Sequence, residues 1–277
     1  MGETMEPLLS MGRAKVLVDG IFTEPRIAHP EGLAIDSDGK IWCGTETGDL
    51  IRVDPDNPEP ELMGSTDGFS LGLAFDAADN CFVCDLKHAA IFRREMSTGR
   101  TEKFASSGIL VPNYPVVDEA RGWLYVSDSH GLEQAGPGIY RYALATGEGG
   151  LWYDKPMVFA NGMALAPDGG GLYVVESFAQ RVSYVPIRPD GSPGEASVVV
   201  EDVQRVPDGL AFAHDGTMYI SCYEPSRIYR FGADKKLELL IDDPQATTLA
   251  HPTNIALLGN RMFTANLGRW HITEIAL

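Results

Sequence analysis

One motif recurs six times along the chain, and this repeat restricts the possible folds more than any other feature of the sequence. An extended apolar segment, introduced by a short stretch rich in Pro, Gly and Asn, begins about every 40–48 residues. That period is the length of one four-stranded blade of a β-propeller. The six segments span residues 30–36, 70–76, 112–118, 160–165, 207–212 and 252–257. The repeat therefore predicts six blades.

The strands that follow each segment indicate how the ring closes. Every segment is followed by a turn and two further strand-like runs, but only five of the six are followed by a fourth strand. The missing strand has a counterpart at the start of the chain, where residues 15–19 (KVLVD) resemble residues 239–242 (LLID). We therefore expect the N-terminal strand to pair into the last blade. Closure of this kind removes the open edge that a linear array of sheets would expose.

The rest of the pattern favours an all-β chain. No segment carries the apolar period of about 3.6 residues that marks an amphipathic helix. The 30 glycines and 18 prolines punctuate the turns and form no linker. We predict a single six-bladed β-propeller domain over residues 1–277, with residues 1–14 as a flexible N-terminal arm.

Charge and cysteine content limit the partners and the compartment. The formal net charge of −17 disfavours nucleic acid and anionic membrane surfaces and suits cations. The first twenty residues lack a basic segment followed by an apolar run, and no apolar run approaches a membrane span of about 20 residues. The cysteines are expected as buried reduced thiols, with a metal or disulfide role for Cys81 and Cys84 as the alternative. We expect a cytoplasmic monomer or small homo-oligomer.

The residue that introduces each first strand forms a chemically unusual column. In a propeller these strands line the central channel, so the residues before them meet at one mouth of that channel. The column consists of Glu31, Leu71, Asn113, Asn161, Asp208 and Thr253. Four of the six are oxygen donors, and two carboxylates with two amides would be costly to bury without a partner. Turn formation is the alternative role, since Asn-Gly and Asp-Gly are good turn pairs.

A bound divalent cation would remove the cost of burying these groups. Oxygen ligands without His or Cys favour a hard ion, so calcium is the first expectation. Zinc, manganese and magnesium are the other candidates. The sequence therefore predicts an axial metal site of Glu31, Asn113, Asn161 and Asp208.

Further polar residues are expected near the same mouth. Asp85, Asp128 and Glu176 end second strands, and they would line the pocket or orient the metal ligands. Solvated loop carboxylates are the alternative. The other candidates for the pocket wall are His29, His130, His251 and Tyr114. For each histidine a purely structural role is the competing interpretation.

The column and its surroundings resemble the SMP-30/gluconolactonase (regucalcin-like) family. The similar pieces are the runs Phe159–Ala164, Pro207–Gly209 and Pro252–Ala256 together with the axial residues. The resemblance extends from about residue 16 to the end of the chain. It implies a six-bladed propeller with a divalent ion on its axis that hydrolyses sugar lactones or related esters. Paraoxonases, the squid-type phosphofluoridase and strictosidine synthase-like proteins resemble the chain more distantly.

The resemblance also implies a role for Asp208. Enzymes of this family use the carboxylate at this position in the chemical step, which makes Asp208 the expected catalytic residue, as general base or as nucleophile. The cation would polarise the substrate carbonyl and stabilise the developing oxyanion.

Two departures from the family pattern bear on the substrate. Leu33-Ala34-Ile35 replaces a Pro and Trp of the first blade, and Val111 stands near the place of an arginine before Asn113. Loss of an arginine removes a donor for a polyhydroxylated substrate, so a less polar lactone or ester joins sugar lactones as a candidate. The alternatives in function are a phosphotriesterase-like hydrolase on the same site and a non-enzymatic calcium-binding or partner-binding propeller.

Overall fold

The chain folds into a ring of six four-stranded antiparallel sheets, described by a computed structural model over residues 5–132 and 134–277. The first twelve strands are β1 (Ala14–Asp19), β2 (Leu33–Ile35), β3 (Ile41–Gly44), β4 (Asp49–Asp54), β5 (Asn57–Ser65), β6 (Ser70–Phe75), β7 (Cys81–Asp85), β8 (Ala90–Arg94), β9 (Thr101–Ala105), β10 (Pro112–Asp118), β11 (Trp123–Asp128) and β12 (Gly136–Ala143). The other twelve are β13 (Gly149–Met157), β14 (Ala160–Leu165), β15 (Gly171–Glu176), β16 (Arg181–Pro186), β17 (Ser197–Val200), β18 (Val206–Phe212), β19 (Met218–Glu224), β20 (Arg227–Phe231), β21 (Leu237–Asp242), β22 (Pro252–Leu258), β23 (Arg261–Asn266) and β24 (His271–Ala276).

Five of the six blades are simple meanders, in which neighbouring strands of the sheet follow one another in the chain. Blades 1 to 5 begin at β2, β6, β10, β14 and β18. Short 3₁₀ helices occur at Met11–Arg13 and Ser177–Ala179. Within the described ranges, no helix has the length and apolar character needed to cross a membrane. The all-β, six-bladed prediction is confirmed.

The last blade is completed by the N-terminal strand, as the sequence predicts. Its strand order is β1-β24-β23-β22, and β1 pairs antiparallel with β24 from Ala14↔Ile275 to Asp19↔His271. Arg13 reinforces the seam, because its guanidinium donates to the carbonyls of Ala276 (2.9 Å) and Leu277 (2.8 Å). The two ends of the chain therefore hold the ring shut.

The segment before β1 also contacts the ring. The amides of Leu8 and Leu9 donate to the carbonyls of Leu239 (2.9 Å) and Leu240 (2.8 Å) on β21. Leu9 packs with Met11 against the core beneath blades 5 and 6. The second half of the arm predicted over 1–14 therefore lies along blade 5, and residues 1–4 of that arm fall outside the described ranges.

The apolar core lies between neighbouring sheets. Val116 and Tyr125 of blade 3 pack with Met163 and Val174 of blade 4, and equivalent clusters join the other blades. The four cysteines belong to these layers as free, buried thiols. Burial raises the pKa of the Cys43 thiol to about 12. The thiols thus act as small apolar groups, in agreement with the expectation of reduced cysteines.

Candidate functional site

A β-bulge places the axial residue at the start of the inner strand in five of the six blades. In β14 the pairing runs from Ala160↔Glu176 to Met163↔Val174, so three steps along β14 match two along β15. The same shift occurs in β6, β10, β18 and β22. Bulges of this kind redirect a side chain, and here they turn the column toward the axis. Asn161 and Gly162 therefore lie inside a strand and do not form a turn.

Glycine after the axial residue allows the inner strands to approach closely. A Cβ on Gly162 would lie 2.6 Å from the Asp208 carbonyl oxygen, and one on Gly209 would lie 2.6 Å from the Thr253 carbonyl oxygen. Gly32 and Gly72 meet the backbone of the next blade in the same way. Neither Gly162 nor Gly209 needs a positive φ. The glycines are required by close contact around the axis, which brings the axial side chains together.

Both axial asparagines are oriented by a serine. The Asn113 Nδ2 donates to Ser129 Oγ (3.0 Å), which in turn donates to the Ala160 carbonyl (2.9 Å). The Asn161 Nδ2 donates to Ser177 Oγ (3.1 Å) and to Asp208 Oδ2 (3.2 Å). These bonds use the amide nitrogens, so that the amide oxygens are available to a ligand on the axis.

Two oxygens at the centre of the site are buried and have no hydrogen-bond partner in the described part of the chain. They are Asn161 Oδ1 and Asp208 Oδ1. Burial raises the pKa of Asp208 to about 7, although the hydrogen bond from Asn161 acts in the opposite direction. Burial and, second, repulsion from Asp208 raise the pKa of Glu31 well above its ordinary value. Two buried carboxylates and an unpartnered amide oxygen fit a hard divalent cation, which would neutralise and ligate them together.

The donor set is thus two carboxylates and two amides. Over the described ranges, no group of three or more His, Cys, Asp or Glu side chains is arranged to hold a metal. A cation on the axis would therefore depend on the oxygens of Asn113 and Asn161 as well as on Glu31 and Asp208.

Three of the carboxylates expected near the site end second strands: Asp85, Asp128 and Glu176. They accept hydrogen bonds from backbone amides at the joints between blades. Asp128 accepts hydrogen bonds from the amides of Leu110 (3.0 Å) and Val111 (2.8 Å), just before Asn113. Asp85 accepts from the amide of Phe69 (3.0 Å), and Glu176 from that of Val158 (2.9 Å). None of the three lines the axial cavity. Their observed contacts fix the segments that lead into the inner strands.

Glu176, which is buried, additionally forms an ion pair with the partly exposed Arg181. Burial acts to raise its pKa, but hydrogen bonds from Arg181 and Ser183 outweigh this and leave the pKa below its ordinary value. The Arg181 Nε lies 2.8 Å from Glu176 Oε1. The pair faces a separate cavity of about 600 Å³ between β13 of blade 3 and the outer strands of blade 4.

The predicted histidines and Tyr114 surround the site without lining its cavity. His29 binds Glu46 through Nδ1 and packs edge-on against Trp270. His251 Nδ1 lies 2.9 Å from the Tyr223 carbonyl oxygen. His130 adopts φ +58° with Nδ1 buried and unpartnered. The Tyr114 ring packs beside Gly72 of the neighbouring blade, and burial raises its pKa to about 12.

The axial residues form the floor of a cavity of about 360 Å³ with an apolar wall. One part of the wall comes from the ends of second strands and from their connections to the third strands, where five of the six blades contribute a largely apolar side chain. These residues are Leu86, Leu132, Phe178, Tyr223 and Leu267. We call the complete wall the apolar collar.

The other part of the collar precedes or joins the inner strands. It consists of Val111, Phe159 and Val206, two positions before an axial residue, and of Leu71 in the axial column itself. Phe159 and Phe178 pack against each other, with ring centroids 4.9 Å apart. Among the described lining residues, the polar side-chain groups are the Tyr223 hydroxyl and, at the floor, those of Glu31, Asn113, Asn161, Asp208 and Thr253.

Sequence reasoning missed the two serines and most of the collar. A signal for both was present in the repeat, because Ser129 and Ser177 directly follow Asp128 and Glu176, at the ends of second strands. Leu86, Tyr223 and Leu267 occupy the corresponding place after Asp85, Cys222 and Asn266. Reading one position further along the repeat would have identified them.

Fold and site together define a six-bladed propeller with four oxygen donors converging on its axis, beneath an apolar opening. The chain belongs to the SMP-30/gluconolactonase/LRE-like family, since residues 46–266 match that region. Residues 21–53 also match the strictosidine synthase-like N-terminal region. The family assignment made from the sequence is confirmed.

Known proteins similar to this chain include lactonases. Lactonase drp35 of Staphylococcus haemolyticus is 24% identical, over 62% of this chain and 69% of its own length. A gluconolactonase structure from Xanthomonas campestris superposes with a TM-score of 0.77 at 18% identity, covering 95% of this chain and 89% of the other. A calcium-binding regucalcin from Agrobacterium tumefaciens gives 0.73 at 18% identity, with 89% of each chain covered. At this identity the structural likenesses establish the fold alone.

Proposed function

We propose that the protein is a divalent-cation-dependent hydrolase that opens lactones or related esters at the axial site, with calcium as the expected ion. The observation that carries the proposal is the pair of unpartnered buried oxygens, Asn161 Oδ1 and Asp208 Oδ1, at the floor of an accessible cavity. Membership of the family and the similarity to a lactonase support ester hydrolysis as the reaction.

The axial residues would hold the ion, and the chain orients them for that purpose. Glu31 and Asp208 supply two negative charges, and the serine-held amides of Asn113 and Asn161 supply neutral oxygens. When bound, the cation would polarise the substrate carbonyl and stabilise negative charge on its oxygen. A substrate bound against the collar would displace water from the floor, which would strengthen the electrostatic interactions there.

Asp208 is proposed as the catalytic residue. Its Oδ2 is held by Asn161 Nδ2 at 3.2 Å, and its Oδ1 has no hydrogen-bond partner among the residues that the structure describes. Asp208 would take a proton from water while the water oxygen bonds to the carbonyl carbon. The carbon–oxygen bond of the ring then breaks, and the proton passes to the departing alkoxide to give the hydroxy acid.

The proposal is tested by lactone hydrolysis with defined metal. Protein treated with EDTA is reloaded separately with calcium, magnesium, manganese or zinc, and hydrolysis of γ- and δ-lactones, aryl esters and phosphotriesters is followed in a pH-stat. We expect metal-dependent lactone hydrolysis that Asp208→Asn lowers about 100-fold or more at saturating metal. Asp234→Asn, on the exposed turn between β20 and β21, is the matched control and should leave the rate unchanged.

Two outcomes would contradict the proposal. Hydrolysis by metal-saturated Asp208→Asn at the wild-type rate would exclude Asp208 from the chemical step. Phosphotriester turnover with no lactone turnover would assign the site to a different reaction.

A further inference from the structure

Resting on the proposed hydrolase function, we infer that the substrate carries an apolar alkyl or aryl group of several carbons that the apolar collar binds. The reacting carbonyl would lie at the axial floor and the apolar group against the wall above it. Polyhydroxylated sugar lactones are therefore poor substrates. Leu86 and Phe178 are the residues we assign to this specificity.

The exposure of the collar indicates that it is built to be covered. Leu132 is 70% exposed, Phe178 43% and Leu86 37%, although each adjoins the cavity. Their apolar surface gains free energy when a ligand removes it from water, at about 0.8 kcal/mol per methylene. Converted at about 1.4 kcal/mol per factor of ten, each methylene of the substrate should increase binding about fourfold.

The cavity has few partners for substrate hydroxyl groups. Donor groups of the floor are already engaged: Thr253 Oγ1 donates to the Glu31 carbonyl (2.7 Å), and both asparagine amides donate to serines. The unpartnered oxygens Asn161 Oδ1 and Asp208 Oδ1 are the expected ligands of the ion. Above the floor, the Tyr223 hydroxyl is the one polar group among the described lining residues. Hydroxyl groups buried against Leu, Val and Phe without hydrogen bonds would weaken binding.

The repeat position two residues before each axial residue supports this interpretation independently, because two of its members are histidines. His29 and His251 stand two positions before an axial residue, as Val111, Phe159 and Val206 do. Val111, Phe159 and Val206 line the cavity, whereas His29 turns to Glu46 and His251 to the Tyr223 carbonyl. The two polar members of this column are thus withdrawn from the cavity, and three of its four apolar members line it. The fourth, Phe69, packs against the core between blades 2 and 3.

The experiment measures how rate and binding depend on chain length. Five-membered lactones bearing straight alkyl chains from methyl to hexyl, and glucono-δ-lactone, are assayed with the calcium-loaded protein. The matching 2-alkylcyclopentanones, which have the ring carbonyl but no ester bond, are titrated by calorimetry against metal-free and calcium-loaded protein. We expect kcat/KM and ketone affinity to rise about fourfold per methylene until the chain extends beyond the collar.

Three variants make the test specific to the collar. Leu86→Ser and Phe178→Ser should reduce the dependence on chain length to about twofold per methylene or less, so that the loss of rate grows from the methyl- to the hexyl-substituted lactone. Leu62→Ser is the control, because Leu62 is a 57% exposed leucine on β5, away from the cavity. It should retain the full dependence.

The outcomes separate this inference from the proposed function. Lactone hydrolysis that is independent of chain length, or fastest with glucono-δ-lactone, would overturn the inference and leave the hydrolase proposal standing. Ketone affinity that rises with chain length, without hydrolysis of any lactone, would support the collar and overturn the hydrolase proposal.

Discussion

Replacing Gly162 by alanine should destabilise the ring, although the change adds only one methyl group. The new Cβ would lie 2.6 Å from both the Asp208 carbonyl oxygen and the Gly209 Cα. Both atoms belong to the backbone of the next blade, so no side chain can move aside to accept the methyl group. Gly150 on β13 provides the matched control, since a Cβ there would meet nothing within 4 Å and its φ is not left-handed.

The size of the effect follows from this geometry. Ordinary contact begins at 3.4 Å, so β14 and β18 would have to separate locally by about 0.8 Å. Forcing a methyl group into a packed site costs about 1–3 kcal/mol of unfolding free energy, and more where the backbone resists. Gly150→Ala should be neutral or stabilising by up to about 1 kcal/mol, because alanine restricts the unfolded chain.

Urea and thermal denaturation of the three proteins in EDTA measure the difference without any contribution from metal. At roughly 2–4 °C per kcal/mol, Gly162→Ala should unfold about 3–10 °C below the wild type, with Gly150→Ala at or slightly above it. Gly162 directly follows Asn161 and contacts the backbone of Asp208, and both of these residues are expected metal ligands. Calcium affinity measured by calorimetry should therefore fall in the same variant. Equal stability of Gly162→Ala and Gly150→Ala would falsify the claim that close backbone approach dictates these glycines.

Three further results are expected. Deleting residues 1–13 should leave a folded ring, whereas deleting residues 1–19 removes β1 and should abolish the cooperative unfolding transition in circular dichroism. Similar melting curves for the two truncations would contradict closure of the ring by β1. EDTA should lower the Tm and calcium should restore it, because an ion that binds only the folded site stabilises it by mass action. Wild-type protein that holds no divalent ion, and whose Tm does not change with calcium, would refute the axial site. Burial lowers the pKa of His271, whose Nε2 lies 2.9 Å from the Thr248 carbonyl oxygen, with Asp19, Asp243 and Arg269 as its charged neighbours. The folded state therefore favours the neutral form of His271. The stability that this preference contributes is complete above the unfolded pKa of about 6.5 and is lost as the pH falls below it. The stability difference between wild type and His271→Gln should therefore shrink from pH 7.5 to pH 5, and a constant difference would rule this out.

The sequence alone was sufficient for the fold and for the position of the axial column. Strand runs and turns of one blade lie within about 48 residues of one another, and their repetition is visible in the order of residues. The missing fourth strand, matched by residues 15–19, was enough to predict closure. Residues at the same position of each repeat occupy the same place in successive blades of the ring. Glu31, Asn113, Asn161 and Asp208 could therefore be assigned to one mouth of the central channel.

Only the tertiary structure decided what each of those residues contacts. Glycine is required at position 162 because the carbonyl of Asp208 in the next blade lies so close. Asp128 is required by the hydrogen bonds that it accepts from backbone amides at the joint before Asn113. The side chains of His29 and Phe159 occupy one column but point to different surroundings. These contacts join different strands and often different blades, and the direction of a side chain depends on local dihedral angles that the repeat does not encode. The period of a sequence fixes which positions meet, whereas their partners are set by packing across the joints between blades.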